Sequence, residues 1–552
     1  MDRNTLIAFL LIGLILIFYP VYIQTVSPNQ KNTTNKHTEK GGVRHEQTET
    51  WVQQKENKKT NITPPQVPFP DEKILTIKTN LYTAKLSNVG GGSFVSFKLK
   101  NYFLKNDSTV NLIDSKNKRN LYIRYFSVSG EPTELNNPWN MATPNKNIDV
   151  FYENKEVRFY QEINGRRVEK SLTFHPDSYI IDINLQINEL SDIISLKDYS
   201  LSWEGGIPQT ENNPKDELTY FGGFVYQAEK PYTFDKLSKP IKNDPTYWGK
   251  ISGKTDWVAV RSKYFLSTLI PEGGSETVEV NLKKTDQSTR YSHRIHLSAD
   301  TQNQKVALYL GPLEYKTLKN MGNDIPSIMN FGIAPIRPIS KGVLWLLKFL
   351  HQFIPNYGVV LVLFSILIKI VVYPLTKKSY QSTKEMQAVQ PLVAALREKH
   401  KKDPAKLNKA TMALYKEHGV NPLGGCLPLL LQMPLLFALF QVFRSTIELR
   451  NAPFFWWIKD LSSPDIIYNL PFSLPLYGDH IAVLPIVMGF TMFLQQKMMP
   501  TQASGQQKFM SYFMTGFFIL LFNNFPSGLN LYYTLFNVFT ILQQKFLTPT
   551  QS

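Results

Sequence analysis

Lys369 is the residue whose chemistry fits its surroundings least. It lies in LFSILIKIVVYPLTKK, residues 363–378, which is almost wholly apolar up to the charged flank at Lys377. At about 1.5 Å of rise per residue, a helix places Lys369 roughly 12 Å inside the apolar zone. One interpretation is a cation in a wet interior site, where it would attract acidic groups. The alternative is a snorkelling lysine whose charge does nothing, although its side chain is short for that depth.

Other signatures of chemistry are absent from the sequence. It contains no G-x-x-x-x-G-K-[ST], no H-E-x-x-H and no C-x-x-C, and its nine histidines are scattered. The glycine run in NVGGGSF, residues 88–94, lies between predicted strands and indicates a turn or bulge. Cys426 is the only cysteine, so no disulfide can form within the chain. We therefore predict a protein that is not an enzyme and that needs no cofactor or metal.

Composition separates the chain into soluble and membrane-like parts. The 552 residues carry a net charge of +17 and are 43% hydrophobic. Residues 6–23 form an uncharged apolar run long enough to span a bilayer. Since no small-x-small site follows, an uncleaved anchor over residues 1–24 is favoured over a cleaved signal peptide. Residues 25–70 are rich in Asn, Thr, Lys and Gln and predict a disordered tether.

Residues 71–332 have the pattern of an antiparallel β domain. In YIIDINLQIN, residues 179–188, apolar and polar side chains alternate, as in a strand with one wet face. Asn164-Gly165 separates two alternating runs, which is a strong hairpin signal. The size suits a large β-sandwich.

From residue 333 onward the chain resembles a membrane protein. Residues 333–356 predict an amphipathic helix in the membrane interface, because Lys341 and Lys348 interrupt an apolar pattern. The segment 357–546 is predicted to be a five-helix core, and residues 547–552 form a tail. The five predicted spans lie near 357–376, 422–442, 477–494, 509–524 and 528–546.

Loop charges orient these spans. Residues 377–418 hold ten Lys or Arg against four acids, whereas residues 444–476 hold three against three. By the positive-inside rule, the first loop is cytoplasmic and the second external. Six spans then put both termini in the cytoplasm and residues 25–356 outside.

The cytoplasmic loop 377–418 predicts a helical hairpin. Asp403-Pro404 is an N-cap signal and Gly419 a stop signal. Its basic residues could form a docking surface for an acidic or RNA-containing partner, or simply a solvated face. The candidate docking residues are Lys399, Lys401, Lys402 and Lys406.

Long motifs in the second half closely resemble the YidC membrane protein insertases. They are YPLTKKSYQSTKEMQAVQP, MALYKEHGVNPLGGCLPLLLQMPLLFALF, ELRNAPFFWWIKDLS, PIVMGFTMFLQQKM and FPSGLNLYY. The likeness covers residues 335–546, and TDWVAVRSKYFLSTLIP, residues 255–271, resembles the β domain of the Gram-negative form. The resemblance implies a polytopic α-helical protein of the bacterial inner membrane, with six transmembrane helices and a periplasmic β-supersandwich.

The resemblance also implies a function and partners. Such a protein inserts and folds membrane proteins, alone or beside the Sec translocon, as an insertase and chaperone. Its partners would be newly made membrane proteins, the lipid bilayer, and ribosomes or signal recognition components at the cytoplasmic hairpin, with no direct DNA binding. A solute transporter and a membrane-tethered carbohydrate-binding protein remain alternatives.

The family's hydrophilic groove gives Lys369 a role. The family carries an arginine five residues before the proline of its Y-P-L motif, and here that position is Lys369, five before Pro374. The charge is kept, but the forked guanidinium becomes a point charge. The other groove candidates are Ser365, Gln432, Tyr532, Tyr533 and Asn537, of which the two tyrosines match a family motif.

Overall fold

The computed structural model describes residues 70–114, 120–143, 146–234, 247–284, 289–400, 403–420, 427–474, 477–498 and 505–546. The predicted anchor, the tether up to residue 69 and the tail 547–552 lie outside these residues, as do Lys401, Lys402 and Cys426. The chain divides into two units, Met1–Gly311 and Pro312–Ser552.

The described part of the first unit is built mainly from strands. They are β1 (Ile74–Thr79), β2 (Tyr82–Ser87), β3 (Ser93–Phe103), β4 (Thr109–Asn111), β5 (Asn120–Ser127), β6 (Pro132–Leu135), β7 (Asn140–Met141), β8 (Asn147–Val150), β9 (Lys155–Ile163), β10 (Arg166–Phe174), β11 (Ile180–Gln186), β12 (Ile194–Trp203), β13 (Gly222–Gln227), β14 (Lys230–Thr233), β15 (Gly249–Arg261), β16 (Phe265–Pro271), β17 (Ser275–Lys284), β18 (Thr289–Ser298) and β19 (Gln304–Pro312). A short helix, α1 (Pro214–Leu218), interrupts them.

These strands form two sheets. The smaller has the order β4-β3-β2-β1-β8, and the larger has 14 strands with β6 and β7 at the ends of its main path. Tyr102 of β3 packs edge-on against Phe265 of β16, with ring centroids 5.9 Å apart, so the two sheets are in contact. β1 and β8 run parallel, whereas pairs such as β1 with β2, β9 with β10 and β17 with β18 are antiparallel.

Local sequence signals correctly predicted several of these strands. In β11, Ile181, Ile183 and Leu185 are buried while the residues between them are more exposed. β9 and β10 pair up to Ile163 and Arg166, and Asn164 and Gly165 between them have φ of +52° and +76°. Positive φ at both positions is the geometry of a type I′ hairpin turn. The glycine run is also a turn, in which a Cβ on Gly92 would lie 2.7 Å from the ring of Phe159.

The second unit is mainly helical. Its helices are α2 (Tyr315–Asn320), α3 (Arg337–His351), α4 (Tyr357–Ala388), α5 (Gln390–Lys399), α6 (Pro404–Glu417), α7 (Leu427–Ser445), α8 (Val483–Met498), α9 (Gly505–Phe522) and α10 (Ser527–Phe546). Two strands, β20 (Ile466–Leu474) and β21 (Gly478–Ala482), pair between α7 and α8.

Helix boundaries differ from the predicted spans in two places. α4 continues twelve residues beyond 376, because Pro374 is accommodated within the helix and the charged segment after it extends the helix to Ala388. The third predicted span, near 477–494, begins only at Val483, since residues 478–482 pair with β20. Among the described helices, α4 alone has a window, Tyr357–Pro374, long and apolar enough to cross a membrane.

The predicted amphipathic helix corresponds to α3. Val343, Leu344 and Leu347 are buried, while Trp345 and Phe349 are exposed with their rings stacked at 5.6 Å. Residues of opposite charge fix this helix to the rest of the unit, because Lys348 Nζ lies 2.8 Å from Glu314 Oε1 and 3.0 Å from Glu448 Oε1. Burial alone would lower the pKa of Lys348, but Glu448 and Glu314 together raise it.

Candidate functional site

The ammonium group of Lys369 lies where α4 packs against α10. Its Nζ donates a hydrogen bond to Thr540 Oγ1 at 2.7 Å and lies 4.2 Å from the centroid of the Phe536 ring. Thr540 in turn donates its own hydroxyl proton to the carbonyl oxygen of Phe536 at 2.7 Å. The threonine oxygen is thereby oriented to accept from the lysine, while the ring face supplies a second, weaker attraction.

The direction of the Lys369 side chain follows from a neighbouring contact. Phe364 on α4 meets Tyr532 on α10, with ring centroids 5.9 Å apart. From that level, Lys369 is about 7.5 Å further along α4, whereas Phe536 and Thr540 are about 6 and 12 Å further along α10. The ammonium group therefore contacts α10 at two levels, one slightly before and one beyond its own backbone position. The side chain ends in the contact between the two helices, and its role as a groove cation stays a prediction.

The positive charge of Lys369 is not neutralised by a carboxylate among the described residues. None of them forms an ion pair with it, and residues 357–384 and the helices α7 to α10 contain no Asp or Glu. A hydroxyl and an aromatic face offset only part of the cost of keeping a charge away from bulk water. The arrangement thus leaves an attractive potential for a negatively charged group.

A second polar contact joins α10 to α8. Asn537 Nδ2 donates to Thr491 Oγ1 at 3.2 Å, and Thr491 donates to the carbonyl oxygen of Met488 at 2.7 Å. Asn537 lies three residues before Thr540, so both face the same side of α10. Lys369, Thr540, Asn537 and Thr491 therefore form one polar row across three helices.

The two tyrosines contribute buried hydroxyl groups near this row. Tyr532 is fully buried, and its ring lies 6.0 Å from Phe536. Tyr533 packs edge-on against Phe522 at 5.6 Å. Within the described part of the chain, neither hydroxyl has a hydrogen-bonding partner. A buried hydroxyl without a partner costs about 1–3 kcal/mol, so both groups are suited to bind a polar backbone or side chain.

Two predicted groove residues, Ser365 and Gln432, form no hydrogen bond with Lys369 among the described residues. Ser365 lies one turn before it and is buried, but its hydroxyl donates to the carbonyl oxygen of Leu361 at 2.7 Å. Gln432 is half-buried on α7 and makes no hydrogen bond among the described residues. That Ser365 on α4 and Gln432 on α7 contact the substrate therefore stays a prediction.

Sequence reasoning missed Thr540, Thr491 and Phe536. The spacing of polar residues along α10 could have indicated Thr540, because Asn537 and Thr540 recur at a helical interval. Thr491 and Phe536 carry no such signal, since a threonine or phenylalanine in an apolar helix is ordinary.

The helical hairpin formed by α5 and α6 contains two of the four candidate docking lysines among the described residues. Lys399 at the end of α5 is exposed, as is Lys406 in α6. Lys406 Nζ lies 3.3 Å from Asp403 Oδ2, and its backbone nitrogen donates to Asp403 Oδ1 at 3.0 Å. The predicted N-cap at Asp403 is confirmed, and the charge of Lys406 is partly offset there.

Comparisons with known proteins agree along the whole chain. A profile described as "60Kd inner membrane protein" matches residues 349–551, and one described as "YidC periplasmic domain" matches residues 74–346. "Membrane protein insertase YidC" of Chlorobaculum parvum is 36% identical over 580 residues, covering 100% of this chain and 95% of that protein. The protein of the same name from Chloroherpeton thalassium is 36% identical over 577 residues, covering 100% of this chain and 96% of that protein. A solved structure titled "Active YidC insertase crystal structure with the first transmembrane domain resolved" has a TM-score of 0.36 and 18% identity, covering 87% of this chain and 95% of its own.

The two matching profiles, one for an inner membrane protein and one for a periplasmic domain, define the class as an inner-membrane protein with a periplasmic domain. The chain belongs to the YidC membrane protein insertase family.

Proposed function

We propose that this chain inserts newly made membrane proteins into the inner membrane and helps them fold, by itself or beside the Sec translocon. In this proposal six helices span the membrane, both termini are cytoplasmic, and residues 25–356 lie in the periplasm. The chain acts without catalysis, because burial of an apolar substrate helix in the bilayer is itself favourable. A solute transporter and a sugar-binding protein are not favoured.

The observation that carries the proposal is the position of Lys369 between α4 and α10. Its cation is held by Thr540 and Phe536 and is not neutralised by a carboxylate among the described residues. Acidic, hydrophilic tails of substrates would be attracted to it while they cross. The hydroxyls of Tyr532 and Tyr533 and the amide of Asn537 would then contact the polar tail, with Ser365 and Gln432 lining the same groove. Ribosomes or signal recognition components would dock at the cytoplasmic hairpin.

Insertion into proteoliposomes tests the role of the charge. Protease protection of the tail would be measured for substrates graded in the number of Asp and Glu that cross. We expect Lys369→Arg to insert them about as well as the native chain. Lys369→Ala should fail for acidic tails, and Lys369→Glu should fail more severely because like charges meet at reduced dielectric. Uncharged tails serve as the matched control and should be less affected.

One result would contradict this role of the Lys369 charge. If Lys369→Ala inserts the whole series as well as the native chain, the charge does not drive insertion in this protein.

A further inference from the structure

A β-hairpin between α7 and α8 carries an exposed apolar surface. The hairpin comprises β20 and β21, residues 466–482, and its residues 466–478 (IIYNLPFSLPLYG) contain no charge. Ile466, Ile467 and Tyr468 are consecutive and all exposed, so both faces of β20 are apolar and open. Strands with one buried face bury alternate residues, and β20 does not.

The hairpin is fixed to the ends of the helices both at its base and at its turn. Asp465 Oδ2 accepts hydrogen bonds from the backbone nitrogens of Val483 at 3.1 Å and Leu484 at 2.8 Å, where α8 begins. Asn523, just after α9, donates to the carbonyl oxygens of Tyr477 and His480, both at 2.8 Å. The base of the hairpin therefore lies where α8 begins, and residues of its turn and of β21 are bonded to the residue that follows α9.

An aromatic loop lies beside this base. The loop is residues 454–458, and with Leu484 and Leu531 it lines an apolar cavity of about 520 Å³. Trp456 is 88% exposed and stacks on Trp457, whose Nε1 donates to Asp465 Oδ2 at 3.0 Å. The same carboxylate thus joins the loop, the hairpin and the start of α8.

The exposed surface continues onto a helix that faces lipid in the proposed topology. Ile486 and Phe490, in the first two turns of α8, are exposed and directly follow the hairpin along the chain. Tryptophan and tyrosine are enriched where a membrane protein meets the bilayer surface. An extended apolar patch in water would be unusual for a stable surface.

An added protein strand fits the exposed surface of this hairpin less well than lipid does. Pro471 within β20 and Pro475 beyond it lack the N–H groups that an added strand would need. Pairing with a substrate segment or a second copy along this strand is therefore hindered, whereas insertion of side chains into a bilayer is not.

We propose that the hairpin 466–482 and the aromatic loop 454–458 bind the external surface of the lipid bilayer. Ile467, Phe472 and Trp456 insert among the lipids, and the cavity beside the loop receives an acyl chain. The contact holds the external ends of α8, α9 and α10 at a fixed depth. The proposal rests on the external placement of this segment, which belongs to the proposed function.

Fluorescence quenching by brominated lipids tests this contact in the full chain. Cys426→Ser removes the native thiol, and Ile467→Cys or Phe472→Cys then carries an environment-sensitive NBD label. In phosphatidylcholine vesicles, both labels should emit at shorter wavelength than in water, and lipids brominated on the acyl chain should reduce their emission. Phe490→Cys on α8 is the lipid-facing control, and Tyr152→Cys, 97% exposed in the first unit, is the aqueous control.

Two outcomes would overturn the proposal. In the first, brominated lipid quenches the label at 490 but not those at 467 and 472. In the second, the hairpin labels emit at short wavelength without quenching, which means that protein covers them. Dilution into excess lipid then distinguishes the two possible covering proteins. If a second copy of the chain covers the labels, the short-wavelength emission is lost on dilution, whereas it persists if another part of the same chain covers them. Lys369→Ala should leave the quenching unchanged, so failure of insertion and failure of this contact are distinguishable.

Discussion

At Lys369 a single ammonium group is held by one hydroxyl and one aromatic face. The arginine that the family resemblance implies at this position would present a planar fork, but here Thr540 offers one acceptor oxygen, which suits the point charge of a lysine. A lysine in place of that arginine keeps the positive charge and needs only one hydrogen-bond acceptor. Function should depend on charge more than on bidentate geometry.

Thr540 is the residue through which we expect the position of this charge to be set. Thr540→Val keeps the shape but removes the oxygen, so the ammonium loses a hydrogen bond worth about 1.5–3 kcal/mol. We expect a lower apparent Tm of the purified protein in detergent, and partial recovery in Thr540→Ser, which restores the oxygen.

A double-mutant cycle with Lys369→Met is the control for this prediction. If the loss comes from the contact with Lys369, Thr540→Val should have little effect once the ammonium is gone. Equal destabilisation in both backgrounds would show that Thr540 acts only through its own helix.

At the scale of elements, sequence signals worked where a local rule fixes the backbone. The Asn164-Gly165 turn, the alternation in β11 and the N-cap at Asp403 each follow from short-range chemistry, and the structure confirms them. The hairpin β20–β21 was missed because both faces of β20 are apolar and exposed, so its sequence shows no alternation of apolar and polar residues. The same apolar run led to a span starting near 477, although the helix begins at Val483.

The candidate site was predictable only in part for a related reason. Lys369 is visible because a charge in an apolar run is rare, and the tyrosines are visible through the FPSGLNLYY motif. The partners of these residues depend on which helix faces meet, and that information is not local. Thr540 and Phe536 became apparent only when α4 and α10 were placed side by side.

The helical hairpin of α5 and α6 should receive substrates or their ribosomes through charge. Reversing Lys399, Lys401, Lys402 and Lys406 to Glu should weaken binding of an acidic or RNA-containing partner, and added salt should weaken binding to the native chain likewise. Co-sedimentation with ribosomes across a salt series measures both effects.

Two controls separate docking from other effects of this reversal. Lys406 already pairs with Asp403, so reversing Lys399 alone should have more effect than reversing Lys406 alone. Membrane orientation must be checked, because these lysines also contribute to topology. A correctly oriented variant that handles every substrate normally would identify the surface as a merely solvated face.

At the scale of the whole molecule, the two units divide the chain at Gly311 and Pro312. Glu314 lies just beyond that boundary and pairs with Lys348 of α3, which also pairs with Glu448, whose side chain is 9% exposed. Removing one member of a largely buried ion-pair network costs more than removing an exposed pair. The segment that must accompany the helices therefore begins before α3, at about residue 311.

We expect a deletion of roughly 75–310 to leave insertion largely intact, because no chemistry is recognisable in the β domain and the network around Lys348 stays complete. The measurement is insertion of an acidic-tailed substrate by the purified deletion in proteoliposomes, at expression matched to the native chain. The matched variant extends the deletion through residue 354, removing Glu314 and α3. It should lose activity, since Glu448 is then left without its cation. Loss of insertion by the shorter deletion, when it is stable and correctly oriented, would assign the β domain a direct part in insertion.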